Sequence, residues 1–153
     1  MDTTLVIPPS ATLSADTLVK LTDFIDEWEF AEDWDDPVAD LSTLAYSIPT
    51  RLKSREGNQK CVDAAMKLAK EEGIPLAVHL DSCNESDCSE WNHRSFLTWF
   101  NPKTGETSEK GAPTLDIEPE LPYSQVIKLP NNPHLQEELL AEVEVLTTLG
   151  ILK

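Results

Sequence analysis

The hydrophobic period changes abruptly at Gly73, and this change constrains the fold more than any other feature of the chain. Between Asn58 and Gly73, apolar residues recur every three to four positions, which is typical of an amphipathic helix that ends at a glycine. In IPLAVHLD, residues 74–81, apolar residues alternate with others, as in a strand with one buried face. A helix that leads directly into a strand indicates a fold in which a layer of helices packs on a β-sheet.

Two further helices are predicted before this point. Ser14 is positioned to cap a helix in which apolar residues recur every three to four positions up to Trp28. Asp36 and Pro37 have the residue types of a helix cap and a first helical position, and an apolar stripe follows until Pro49 ends it. That stripe consists of Val38, Leu41, Leu44, Ala45 and Ile48.

The second half of the chain supplies strands and a last helix. SFLTWF, residues 95–100, predicts a strand that turns at NPKTG and returns through residues 106–110. QVIKL predicts another strand, and Asn132 with Pro133 begins a helix. This segregated order predicts an α+β fold with three N-terminal helices, a small, mainly antiparallel sheet of three to four strands covered on one side, and a C-terminal helix. The last helix is expected to face the core with Leu135, Leu139, Leu140, Val143, Leu146 and Leu149.

The composition is that of one folded domain. The 153 residues suffice for a single core, and 40% hydrophobic residues with four tryptophans favour a packed globule over a disordered acidic chain. We therefore expect residues 1–153 to form a single compact domain. The start, MDTTLVIPPS, lacks the features of a secretory signal, and no window has the roughly 18–20 apolar residues of a membrane-spanning helix. These features predict a cytoplasmic protein.

The net charge decides which partners are plausible. Twelve basic residues against 28 acidic ones give a formal charge of −16. We therefore do not expect direct binding to nucleic acid or to an anionic membrane, because phosphate binding depends on Lys and Arg. A basic partner protein is favoured instead, since long-range attraction accelerates its encounter.

The densest acidic segment lies between Lys20 and Arg51, which enclose no other basic residue. Its nine carboxylates, here called the acidic ridge, are expected on the solvent side of the first helix and in the loop after it. An alternative is a solvated face that only keeps the protein soluble. A calcium loop is not indicated, because DxDxDG spacing is absent. The predicted interface consists of Asp23, Asp26, Glu27, Glu29, Phe30, Glu32, Asp33, Trp34, Asp35, Asp36 and Asp40.

Carboxylates at fixed spacing can occupy the positions that phosphates take in a nucleic-acid groove. The expected function is therefore protein binding, most naturally as an inhibitor that mimics nucleic acid towards a basic nucleic-acid-binding enzyme. Compact acidic inhibitors occur among phage anti-defence proteins, including anti-CRISPR and anti-restriction mimics, and among immunity proteins against nuclease toxins. That comparison rests on charge and size. A non-inhibitory structural or adaptor subunit is an alternative.

A second candidate site is the stretch HLDSCNESDCSEWNH, residues 79–93. His79, Cys83, Cys88 and His93 have the residue types of a structural zinc site. The three cysteines of the chain are an odd count, which fits reduced thiols or a metal site better than disulfides. The alternative is a polar connection with part-buried thiols, in which His79 is a surface imidazole on the outer face of its strand. We expect no cofactor, with zinc as the alternative.

A third possibility is a cysteine-dependent hydrolase. Cys61 is predicted near the third position of its helix, where the helix dipole lowers a thiol pKa. His93 and Asn101 flank the strand SFLTWF and are the candidate base and orienting group. Over residues 57–105, this order resembles the core of papain-like and transglutaminase-like enzymes. The alternative is a buried structural thiol, since Cys61 lies on the apolar line of its helix.

Overall fold

The computed structural model describes residues 2–81, 95–112, 114–115 and 131–152. Within them, three helices accompany five strands, and short 3₁₀ turns occur at Ser10–Thr12 and Leu41–Thr43. In chain order the elements are β1 (Asp2–Ile7), α1 (Ala15–Glu27), β2 (Thr50–Ser54), α2 (Gln59–Glu72), β3 (Leu76–Asp81), β4 (Ser95–Asn101), β5 (Glu106–Gly111) and α3 (Pro133–Thr148).

The five strands form one sheet in the order β2-β1-β3-β4-β5. Every neighbouring pair is antiparallel. In the β4–β5 hairpin, Asn101 pairs with Glu106, and Gly105 takes the positive φ of 72° that the turn requires. The α+β class, the antiparallel sheet, this hairpin and the C-terminal helix are therefore confirmed.

The helix ends follow the capping residues of the sequence. The Ser14 hydroxyl accepts a hydrogen bond from the Thr17 amide at 3.2 Å, which caps α1. Gly73 ends α2 with a φ of 64°, in the left-handed conformation that glycine adopts without a Cβ clash. At α3, the Asn132 side chain accepts from the Leu135 amide at 3.0 Å. Local chemistry is enough to set these ends.

The sheet is covered on both faces, contrary to the prediction of helices on one side. Leu5 of β1 packs with α1 and α2, whereas its neighbour Val6 packs with Leu146 and Leu149 at the end of α3. Successive residues of a strand point to opposite faces, so β1 contributes to both cores. Coverage by α3 comes from its last turns, because its buried residues are Val145 and Leu146.

Of the six residues predicted to face the core from the last helix, only Leu146 and Leu149 are buried, and Leu135, Leu139 and Val143 are half-buried. Leu140 is 61% exposed, while Val145, which was not predicted, is buried. The apolar pattern of this helix continues along its whole length, but its buried residues all lie near its C-terminal end.

The predicted second helix between Asp36 and Pro49 is wrong. This segment contains only the 3₁₀ turn Leu41–Thr43, because its backbone groups bond to other elements. The Ala39 amide donates to the Phe30 carbonyl at 2.8 Å, and the Ala45 amide donates to the Thr50 hydroxyl at 2.9 Å. These tertiary hydrogen bonds replace the i to i−4 bonds of a helix.

In the described residues the sheet has five strands, where three to four were predicted. Neither β1 nor β2 was among the predicted strands. In β2, Thr50, Leu52 and Ser54 are buried while Arg51 is exposed, so the two-residue period was present but short. The predicted strand QVIKL lies outside the described residues.

Among the helices that the structure describes, none has both the length and the apolar character needed to cross a bilayer.

Candidate functional site

The first part of the acidic ridge lies on α1. This helix buries Leu21, Phe24 and Ile25 in the core and exposes three carboxylates of the ridge on its other side. The helical period therefore separates the two classes of side chain. These ridge carboxylates are Asp23, Asp26 and Glu27.

Two cations flank this part of the ridge. Asp23 and Glu27 line a shallow groove between α1 and α2 together with Lys20 and Lys67. Lys20 forms an ion pair of 2.9 Å with Glu72 of α2, and this pairing raises its pKa above the ordinary lysine value. Lys67 lies 4.0 Å from its neighbour on α2, Glu71. Both lysines are thus held nearest to carboxylates of α2.

The second part of the ridge is the segment 29–40, here called the acidic loop. Glu29 has a φ of 54°, and this left-handed residue turns the chain out of α1. Ala31 then exchanges two backbone hydrogen bonds with Lys53 of β2, at 2.9 and 2.7 Å. The loop closes where Ala39, itself buried, donates to the carbonyl of Phe30. The ends of the loop are therefore fixed on the scaffold.

Phe30 contributes no area to this surface, contrary to its prediction as an interface residue. Its side chain is completely buried and stacks on Phe24 with ring centroids 5.9 Å apart. The aromatic ring anchors the start of the acidic loop in the core, because burying a phenylalanine stabilises by about 1.5–3 kcal/mol.

Trp34 is half-buried and is held by cations of the protein itself. The Lys53 ammonium lies 5.6 Å from its ring centroid, and the Arg55 guanidinium lies 5.4 Å from it. Such cation–π contacts contribute about 0.5–1 kcal/mol each at exposed sites. The sequence prediction did not include Lys53 and Arg55, since no local pattern connects them with a residue about twenty positions earlier. These three side chains line a depression of about 230 Å³ with Asp33 and Asp36.

All nine ridge carboxylates are exposed, and in the described part of the chain none forms an ion pair within 4.0 Å. Two of them bond locally. Asp33 accepts from the Trp34 amide at 2.8 Å, and Asp40 accepts from both the hydroxyl and the amide of Ser42. These bonds from Ser42 lower the pKa of Asp40 below the ordinary aspartate value. The ridge therefore faces solvent without being neutralised by bound lysines or arginines.

The candidate zinc residues are placed only in part. His79 lies within β3, and Cys83, Cys88 and His93 lie outside the described residues. The expectation of a surface imidazole is wrong, because His79 is buried and its Nε2 is 2.8 Å from the Ala112 carbonyl oxygen. In the described ranges, no group of three or more His, Cys, Asp or Glu side chains is arranged to hold a metal ion. The zinc site stays a prediction.

Cys61 occupies the third position of α2, as predicted, and its amide donates to the Asn58 side chain. Its thiol is completely buried, and this burial raises the pKa to about 12. The expected lowering by the helix dipole is therefore outweighed by desolvation.

Of the other candidate hydrolase residues, the described one, Asn101, does not meet this thiol. Phe100 packs in the same core as Cys61, so Asn101, the next residue of β4, points to the opposite face of the sheet. Asn101 instead accepts from the Lys103 amide at 3.0 Å, and His93 lies outside the described residues. This arrangement favours a structural role for Cys61.

Comparison with protein-family models, curated proteins and solved structures finds no match for this chain.

Proposed function

We propose that this chain is a cytoplasmic protein-binding module that presents its acidic ridge to a basic nucleic-acid-binding protein and inhibits it by occupying the nucleic-acid groove. One observation carries the proposal: nine exposed carboxylates, none in an ion pair within the described residues, project from backbone that is fixed at several points. A fixed array of like charges is electrostatically unfavourable for the molecule itself. Binding an opposite charge is the interaction that relieves it.

The charge density of the ridge supports nucleic-acid mimicry. On α1, Asp23, Asp26 and Glu27 lie within about 6 Å of helix axis, at about 1.5 Å per residue. A DNA duplex carries one charge per about 1.7 Å of its axis, or about three to four charges in that length. The number of negative charges per length of axis on this helix is therefore similar to that of a DNA duplex. A groove that binds the duplex can meet the same density of negative charge on α1.

The nearby cations do not remove this field. Lys53 and Arg55 contact the ring of Trp34, and Lys20 and Lys67 lie nearest to carboxylates of α2. Cations fixed beside the carboxylates give a partner an orientation as well as an attraction.

The proposal is tested by charge reversal on the acidic loop. We choose Asp35→Lys with Asp36→Lys, which leaves Asp33 to accept its hydrogen bond from Trp34. The matched control, Glu109→Lys with Glu137→Lys, makes the same change in net charge at exposed positions on β5 and α3. Each protein is immobilised, exposed to a cell lysate, and eluted first with duplex DNA and then with salt.

Wild type and control are expected to retain proteins that duplex DNA displaces. The loop variant should retain them at least about tenfold less, because like charges facing each other cost several kcal/mol. Equal retention by all three forms would overturn the proposal. Retention that salt reverses but DNA does not would instead favour a non-inhibitory adaptor.

A further inference from the structure

Exposed apolar side chains are concentrated in one short segment next to the acidic ridge. The described residues contain seven exposed large hydrophobic side chains, and four of them fall between positions 38 and 48. Single exposed hydrophobic residues are ordinary, but contiguous groups mark interaction surfaces. We call these four the apolar patch: Val38, 41% exposed, Leu41, 46%, Tyr46, 74%, and Ile48, 64%.

The backbone beneath the apolar patch is held in place. Leu44 is buried in the core, and the Ala45 amide donates to the Thr50 hydroxyl. The carbonyl groups of Ala45 and Tyr46 accept from the amides of Ser10 and Ala11, at 2.9 and 3.1 Å. The exposed side chains therefore stand on fixed backbone, which lowers the entropic cost of binding.

The apolar patch is continuous with the acidic ridge. Val38 lines the same depression as Asp33 and Asp36, and Leu41 directly follows Asp40. Asp40 and Tyr46 are six residues apart, so their Cα atoms lie within about 20 Å. A standard interface covers about 800 Å² per partner, a patch about 30 Å across. One partner can therefore cover the apolar patch together with the adjoining end of the acidic ridge at Asp40.

The charge of the molecule indicates what covers the patch. A second copy would bring another formal charge of −16 against a carboxylate-rich surface, which is strongly unfavourable. A basic protein with apolar side chains among its cations satisfies both surfaces at once. Interfaces of this kind have an apolar centre, with tyrosine enriched, and a charged rim.

We propose that the apolar patch is a second contact region for the same basic partner, with Tyr46 and Ile48 as its anchors. The inference rests on the proposed function and adds to it that recognition has a component that salt does not screen. A partner would then be selected by apolar side chains beside its basic groove, and not by charge alone.

The test uses two synthetic lysine-rich peptides of equal length and charge, one with leucines between the lysines and one with glycines. Their affinities for the full chain are measured by isothermal titration calorimetry at low and high salt. The patch variant is Tyr46→Ser with Ile48→Ser. Its matched control, Val19→Ser with Leu140→Ser, removes exposed apolar side chains outside the patch, 55% and 61% exposed in the wild type.

For wild type and control, the leucine peptide is expected to bind at least about tenfold more tightly than the glycine peptide, with the gap persisting at high salt. The patch variant should lose this gap. An equal gap in all forms would overturn the inference and leave the proposed function standing.

Two further results separate the proposals. Unchanged binding of both peptides by Asp35→Lys with Asp36→Lys would count against the acidic ridge itself. A dimer in multi-angle light scattering that Tyr46→Ser with Ile48→Ser dissociates would show that a second copy covers the patch, which also overturns the inference.

Discussion

At the scale of single residues, Cys61 shows how burial outweighs position. The helix terminus places the thiol where the dipole favours a thiolate. The side-chain oxygen of Asn58 accepts a hydrogen bond from the Cys61 amide at this terminus. Removal from water disfavours the charged form more strongly, so the pKa rises to about 12. Position along the helix was readable from the sequence, whereas the depth of burial depends on what α2 packs against.

This pKa has a consequence for stability against pH. The folded value of about 12 lies above the ordinary value of 9.0, so the unfolded chain loses its proton first as pH rises. The stabilising contribution of the buried thiol is complete below pH 9 and is lost progressively towards pH 12. We expect the stability advantage of wild type over Cys61→Ala to shrink by up to about 1.4 kcal/mol per pH unit in that window.

Urea denaturation of both proteins across the window measures this difference. The comparison cancels the lysines, tyrosines and remaining cysteines, which both proteins share. A difference that does not change with pH would contradict the raised pKa.

At the scale of elements, the acidic loop is an irregular segment with a defined conformation. Its start is anchored by the buried Phe30 and its end by the buried Ala39. Its middle is held by Trp34, whose ring contacts two cations, one in β2 and one just after it. The sequence alone shows that this loop is rich in carboxylates and contains two aromatic residues, Phe30 and Trp34. It misassigned Phe30 to the surface, because an aromatic residue in a charged stretch can equally be a core anchor, and only the position of α1 and β2 decides which.

We expect Trp34→Ala to loosen the middle of the acidic loop. The change removes two cation–π contacts of about 0.5–1 kcal/mol each, while Phe30 and Ala39 keep the ends attached. Cleavage by a protease specific for Glu and Asp should therefore become faster within residues 32–36. Trp34→Phe, which keeps an aromatic face, is the control and should be cleaved at an intermediate rate. Cleavage of both variants at the wild-type rate would show that the ring does not hold the loop.

At the scale of the whole molecule, the negative charge is distributed unevenly. The nine carboxylates between residues 23 and 40 lie on one continuous stretch of chain, and the ion pairs of the described residues lie elsewhere. This arrangement opposes folding through self-repulsion and gains nothing for the core.

We therefore expect added sodium chloride to raise the thermal unfolding temperature, since salt screens repulsion between exposed charges. Asp35→Lys with Asp36→Lys should unfold at a higher temperature than wild type at low salt, and the gain should fade as salt is added. Differential scanning calorimetry over a salt series measures both effects. A fall in unfolding temperature with salt would indicate that attractive ion pairs dominate the surface.

By itself, the sequence determined the local features of this protein: the caps at Ser14, Gly73 and Asn132, the hairpin at Gly105, the α+β class and the net charge. These depend on side chains a few positions apart or on composition. The tertiary structure alone decided that the segment after Asp36 is not a helix and that α3 covers the second face of the sheet. Hydrogen bonds and buried contacts between distant segments outweigh helix propensity there, and no short window of sequence contains both partners of such a contact.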